Sequence, residues 1–229
     1  MNQEHQKPVI AFDIYGTLID TEGVFDTLRE VAGDKAAALS QTWRDKQLEY
    51  SFRRGLMQRY EPFPVCTAQA LEYACAVHGV ELSDDDRNRL MGVYRELPAF
   101  DDAADALAEL GRTGYRCFAF SNGTREAVEE LLEHAGIDDA FEGVVSCDEV
   151  RTFKPNPAVY VHFLETAGVA AGDAWLVSGN PFDIIGARAA GLEAAWVDRG
   201  GDKVFDPWGI EPTVTIASLT ELPAVLREG

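Results

Sequence analysis

The sequence predicts an α/β fold: a parallel sheet covered by helices on both faces, with a helical insertion after its first strand. Three observations predict it. Short apolar runs recur along the chain, each ending in a polar or glycine-bearing turn. Helical patterns separate most of these runs, the alternation that builds a parallel sheet. Between about residue 20 and residue 100 the rhythm fails, and helical stretches follow one another with no strand between them.

The elements follow in order. Val9 to Phe12 is a buried strand that ends at Asp13, with Gly16 in the turn beyond. The insertion carries helices over 36–54, 67–78 and 83–94 and closes near Pro98. A helix over 103–110 leads into a second strand, 115–120, which ends at Ser121-Asn122-Gly123. Thr124 then caps a helix over 125–134, and Gly136 stops it. A weak strand at 144–146 precedes a helix over 157–167. A strand over 174–178 ends at Gly179-Asn180-Pro181, and a helix over 183–190 leads to a last strand, 194–197. The division is a body of residues 1–20 and 101–229, with residues 21–100 as a helical cap. In open α/β sheets the active site lies past the carboxyl ends of the strands, where these polar residues cluster.

Composition bounds the function. The chain has 229 residues, 46% of them hydrophobic, enough for a sizeable core. Its net charge is −19, with 15 Arg but only 5 Lys among the bases. So acidic a chain is a poor partner for nucleic acid or an anionic membrane. No apolar run reaches the roughly eighteen residues of a membrane span. The start, MNQEHQKPVI, lacks a signal-peptide pattern, so a cytoplasmic protein is expected. Cys66, Cys75, Cys117 and Cys147 lie far apart and read as free thiols of a reducing compartment. His5, His78, His134 and His162 form no metal-ligand spacing. Residues 21–100 hold 13 acids and 10 bases, against 26 and 10 in the remainder, so the acidity belongs to the body.

Asp13, alone, is either a turn former or a nucleophilic carboxylate at a strand end. The other strand ends favour the nucleophile. Ser121-Asn122, Lys154 in Phe-Lys-Pro-Asn, and Asp183 after Ser178-Gly-Asn180 follow it in chain order. Asp, Ser, Lys and Asp so placed resemble the four motifs of the haloacid dehalogenase superfamily, over almost the whole chain. Its phosphatases carry a second Asp two residues after the nucleophile. Tyr15 stands there in this chain, which disfavours phosphoryl transfer. Asp13 and Asp183 are able to ligate a hard cation, but Lys154 is able to occupy that space instead.

FDIYGTLID, WRDKQLEY, SNG, KPNPAVY and SGNPFDIIGAR are similar to the L-2-haloacid dehalogenases themselves. The resemblance implies a Rossmann-like core of that superfamily with a helical cap, and no metal or cofactor. It implies SN2 attack of Asp13 on C2 of a short 2-haloalkanoic acid, then hydrolysis of the aspartyl ester. Lys154 orients Asp13. Arg44, the Asn122 amide and the edge of Phe182 receive the halide. Ser121 and the main chain at Ile14 and Tyr15 hold the substrate carboxylate. Asp183, with Ser178 and Asn180, activates water, and Tyr160 completes the polar network. Tyr15, Leu48, Phe63 and Phe182 are expected as apolar walls. Glu49 and Tyr50 are expected as cap structure, and a pairing of Asp45 with Arg44 would weaken halide binding. A homodimer is implied through the helical surfaces.

Three alternatives stay open. The same aspartyl ester serves other hydrolases of small carboxylic acids, magnesium-dependent phosphatases share the scaffold, and a silent binding module would keep the fold. The acidic surface and the scarcity of Lys also fit a protein of a concentrated-salt cytoplasm. There the Debye length shrinks to about 3 Å and self-repulsion is screened.

Overall fold

The computed structural model describes residues 8–201 and 203–228; His5 and the first seven residues lie outside the described residues. Six parallel strands form one sheet in the order β3-β2-β1-β4-β5-β6. They are β1 (Val9–Phe12), β2 (Arg116–Ser121), β3 (Gly143–Ser146), β4 (Ala174–Ser178), β5 (Glu193–Val197) and β6 (Val214–Ile216). Every residue of β1 is buried, as a central strand covered on both faces requires.

The order reverses at β1. The chain runs outward through β2 and β3, then returns to β4 on the other side. Strands diverge from such a point, and the crevice opens at their carboxyl ends. Phe12 lies level with Ala119 of β2 and Val177 of β4, so the next residues of the three strands meet at one place.

The helices are α1 (Glu22–Ala32), α2 (Ala36–Leu56), α3 (Phe63–His78), α4 (Asp84–Val93), α5 (Ala103–Arg112), α6 (Arg125–His134), α7 (Pro157–Ala167), α8 (Pro181–Ala189) and α9 (Leu222–Glu228). On α5, Ala103, Ala106, Leu107 and Leu110 bury one stripe at helical spacing. The Thr124 hydroxyl accepts from the Ala127 N–H to cap α6, as the sequence predicts. Ser83 and Asp86 form a capping box that starts α4.

Helices α1 to α4 make up the insertion, and no strand interrupts them. The chain enters and leaves it side by side: the Asp20 N–H donates to the Pro98 carbonyl at 2.9 Å, and Phe100 N–H to Leu18 at 2.8 Å. Leu39, Trp43, Ala70 and Leu71 of the insertion join the same apolar cluster as Phe12, Ile14 and Val177 of the body. A second cluster, with Phe120, Tyr160 and Phe163, fills the opposite face of the sheet.

The sequence reading misses α1, β6 and α9. It starts α3 four residues late, because Pro64 reads as a breaker although the first turn of a helix accepts it. Among the described residues no helix is long and apolar enough to cross a membrane.

Candidate active site

Asp13 follows directly on β1, and its side chain is 12% exposed. Three donors converge on Oδ2: the Thr17 hydroxyl at 2.8 Å, the Asn180 amide at 2.8 Å and the Ser178 hydroxyl at 3.2 Å. Oδ1 accepts from the Lys154 ammonium at 3.1 Å. The carboxylate is therefore fixed mainly through one oxygen. Gly16, at φ +77°, turns the chain so that Thr17 folds back on Asp13. A Cβ on Gly179 would stand 2.6 Å from the Gly16 carbonyl, so the turn after β4 rests on the nucleophile loop with no room for a side chain.

Lys154 is 1% exposed. Its ammonium donates to Asp13 Oδ1, to the Phe120 carbonyl at 2.8 Å and to Asp183 Oδ2 at 2.7 Å, which uses all three protons. Burial alone would lower its pKa. The Asp13 and Asp183 carboxylates overcome that and hold it above the ordinary lysine value. The ammonium thus bridges the two carboxylates. Among the described residues no cluster of His, Cys, Asp or Glu is arranged to hold a metal ion.

Asp183, in the first turn of α8, is fully buried. Its other oxygen accepts from the Tyr160 hydroxyl at 2.8 Å. Burial pushes its pKa up to about 6, while Lys154 pulls the other way. Tyr160 is thus more than packing: its ring is in the core and its hydroxyl is committed to Asp183.

Asn180 stands at the N-cap of α8, yet its side chain does not cap the helix. The amide donates to Asp13, and its oxygen accepts from Arg44 of α2 at 3.3 Å. The other end of the Arg44 guanidinium donates to Gln47 at 2.9 Å. Asp45 accepts from Gln41 on the exposed side of α2, so the anticipated Asp45–Arg44 pairing is not made. Glu49 pairs with Lys46 and Arg53, and Tyr50 meets Tyr73 edge to face, both inside the insertion.

A cavity of about 720 Å³ lies between insertion and body. Tyr15, Arg44, Phe63 and Asn180 line it, joined by Trp43, Gln47 and Tyr94. Other expected residues lie outside its lining. The Ile14 side chain is core, which leaves only its backbone for a ligand. Leu48 is half-buried on α2. Phe182 packs edge to face on Phe52 at 5.3 Å. Ser121 ends β2, and its oxygen accepts from the Gly123 N–H, a residue of the cavity wall. The Asn122 oxygen accepts from the Lys154 backbone N–H at 2.9 Å, which ties the lysine loop to the end of β2.

Sequence reasoning missed Thr17 and Gln47. The Thr17 hydroxyl donates to Asp13 and accepts from the Gly179 N–H at 2.9 Å; its signal was its place four residues after the nucleophile. Gln47 is 2% exposed and links Arg44 to the Thr67 hydroxyl at 2.7 Å. Its place one helical turn from Arg44 was visible in the sequence, but the burial that commits its amide was not. Tyr15, where a second acid would stand, packs edge to face on Tyr94, and burial raises its hydroxyl pKa well above the ordinary phenol value. It is a poor proton donor.

Residues 7–191 match the haloacid dehalogenase-like hydrolases. The chain belongs to that family. Within it, the chain is 36% identical over 210 residues to the (S)-2-haloacid dehalogenase of Pseudomonas sp. (strain YL), covering 92% of this chain and 90% of the relative. It is 36% identical to haloacetate dehalogenase H-2 of Moraxella sp. (strain B), covering 90% and 92%. The L-2-haloacid dehalogenase of Xanthobacter autotrophicus, solved with chloropropionic acid covalently bound, superposes with a TM-score of 0.87 at 31% identity, over 96% of this chain and 98% of that one. Haloacid dehalogenase-like hydrolases thus include close structural counterparts of the whole chain, insertion included.

Proposed function

We propose that this chain hydrolyses short-chain 2-haloalkanoic acids, such as L-2-chloropropanoate and haloacetate, to 2-hydroxy acids. The observation that carries the reading is the Asp13 carboxylate. One oxygen is immobilised by three donors and the other faces a single ammonium, beside a cavity that presents Arg44. The three donors on Oδ2 leave Oδ1 as the attacking atom. It bonds to C2 as the C–halogen bond breaks; the halide leaves with the bonding electrons, and the centre inverts. Arg44, reaching in from the cap formed by residues 21–100, receives the halide. Ser121 and the backbone at Ile14 and Tyr15 hold the substrate carboxylate against walls that include the Tyr15 and Phe63 rings.

Water then attacks the carbonyl carbon of the aspartyl ester, so that Asp13 is regenerated and the 2-hydroxy acid leaves. Asp183, with Ser178, Asn180 and Tyr160, receives the proton. A carboxyl raised to about 6 by burial is a better base near neutral pH than an exposed one. Because Lys154 occupies the space between the carboxylates, no metal takes part. Chloride release from L-2-chloropropanoate, lost in Asp13→Ala and indifferent to EDTA, is the expected result. No halide from any short 2-haloacid overturns the reading.

The protein works as a homodimer in a cytoplasm, and its acidic surface tolerates concentrated salt. Exposed Leu56 at the end of α2, Met57 just after it, and Tyr73 and Val77 on α3 support the dimer, and four unpaired, buried cysteines support a reducing compartment. The net charge of −19 supports the salt. Light scattering and unfolding curves in molar KCl test dimer and salt tolerance in turn.

A further inference from the structure

The cavity is larger than its chemistry needs. Sites of roughly 300–1,000 Å³ hold drug-sized ligands, and about 720 Å³ is far more than a three-carbon acid fills. Its wall extends to Asn88, Met91 and Gly92 of α4 and to the segment after that helix. Here the lining changes character. Besides Arg44 it contains Arg95, just past α4, and Lys203, in the loop after β5, with Glu96 as the one carboxylate among the lining residues. Arg95 and Lys203 reach the cavity from different parts of the fold, one from the end of the insertion and one from the body.

This concentration of positive charge runs against the rest of the chain. The protein carries −19, and only five of its residues are lysines. Lys154 holds Asp13, and Lys203 faces the same cavity from outside. Arg95 is not tied down: both it and Glu130, its partner at 3.7 Å, are largely exposed. So long and exposed a pair is weak, and the guanidinium stays available to a passing anion.

We propose that Arg95 and Lys203 form an outer anion-collecting site, which draws small monocarboxylates through the acidic field of the protein and hands them to Arg44. The proposal rests on the reading of the substrate as a carboxylate anion, and it assigns Arg95 and Lys203 to capture, not to bond breaking. Charges lining a low-dielectric cleft raise the local concentration of an oppositely charged substrate, and salt suppresses the effect.

The test is the double variant R95E/K203E, in which both side chains are exposed and their replacement leaves the core untouched. At low ionic strength its kcat/KM for L-2-chloropropanoate should fall roughly tenfold or more, through KM, with kcat changed less than about twofold. Toward ~1 M KCl, where the screening length is about 3 Å, variant and parent should converge. A second arm needs no turnover: calorimetric titration with butanoate and with butanamide, its neutral counterpart. The parent should prefer butanoate, and the variant should lose that preference while keeping its butanamide affinity. Equal kcat/KM at every salt concentration, or the same butanoate affinity (or none) in both proteins, overturns the proposal. A parent that releases no halide but prefers butanoate overturns the dehalogenase reading alone.

Discussion

The two ends of the site are built in opposite ways. Asp13 sits at the centre of the sheet, held by donors from three separate segments: Thr17 from its own turn, Lys154 from the loop before α7, and Ser178 and Asn180 from the end of β4. Arg44 projects from a helix of the insertion and makes two bonds, one to its own helix and one, at 3.3 Å, to the body. Strand ends are fixed to each other by the sheet ladder, so what they carry is placed without help from side-chain packing. A group on an inserted helix is placed only as well as insertion and body fit together. The first kind of support suits a group that must keep one position, and the second suits a group that adjusts to what lies in the cavity.

Substitution on the sheet side should be the more damaging. Lys154→Met leaves Asp13 and Asp183 buried without their shared counter-ion. Breaking a buried pair in this way costs about 3–5 kcal/mol. Denaturant unfolding should report that loss, together with a fall in kcat of on the order of 10³-fold; wild-type stability would mean that the lysine holds nothing together. Arg44→Gln should lower kcat/KM on the order of 10²-fold, the value of one donor aimed at developing charge. Its unfolding midpoint should stay that of the parent, because the guanidinium belongs to the cavity and not to the core. An equal loss of stability in both variants would erase the contrast between the two supports.

A smaller effect comes from pH. If Asp183 accepts the proton of the attacking water, it must be ionised. Burial places its pKa at about 6, so the ionised fraction, and with it kcat, should halve near pH 6 and fall about tenfold per unit below that. A profile flat from pH 7 to pH 5 would remove Asp183 from that role. The least effect is expected at Gln47→Leu, which removes the brace between Arg44 and Thr67. A several-fold rise in KM with kcat unchanged would show that Gln47 positions Arg44; Gln47→Glu, which pairs a carboxylate with the guanidinium, should raise KM further, because the new anion competes with the substrate for Arg44.

Much of this was legible in the residues. The strands that build the site are all short apolar runs closed by polar turns, and β1 and β4 fall where the pattern puts them. The edge strand β6 was not legible. It has three residues, one of them buried, and its pairing with β5 depends on a loop whose path no local pattern encodes. Helix α1 was hidden for a different reason: its stripe of Val24, Thr27 and Leu28 is short and includes a polar residue. Asp13, Lys154 and Asp183 could be read as a set because each follows a recognisable element. Gln47 could not, since its burial arises from packing of α2 on α3, a contact between helices. The place of Phe182, off the cavity wall, was likewise decided by a contact between helices, its ring on Phe52 of α2, and not by the motif around it.

Asn180 carries the last consequence. An amide has one donating end and one accepting end, and here the first meets a carboxylate and the second a guanidinium. The side chain cannot be turned over without setting like against like at both ends. It therefore acts as a polarised ruler between body and insertion. It links Asp13 to Arg44, with its donating end turned to the anion and its accepting end to the cation. In the proposed reaction a carbon–halogen bond laid between those two points has its electron-rich attacker at one end and a cationic exit at the other. Turning over this one planar group would disturb both ends at once.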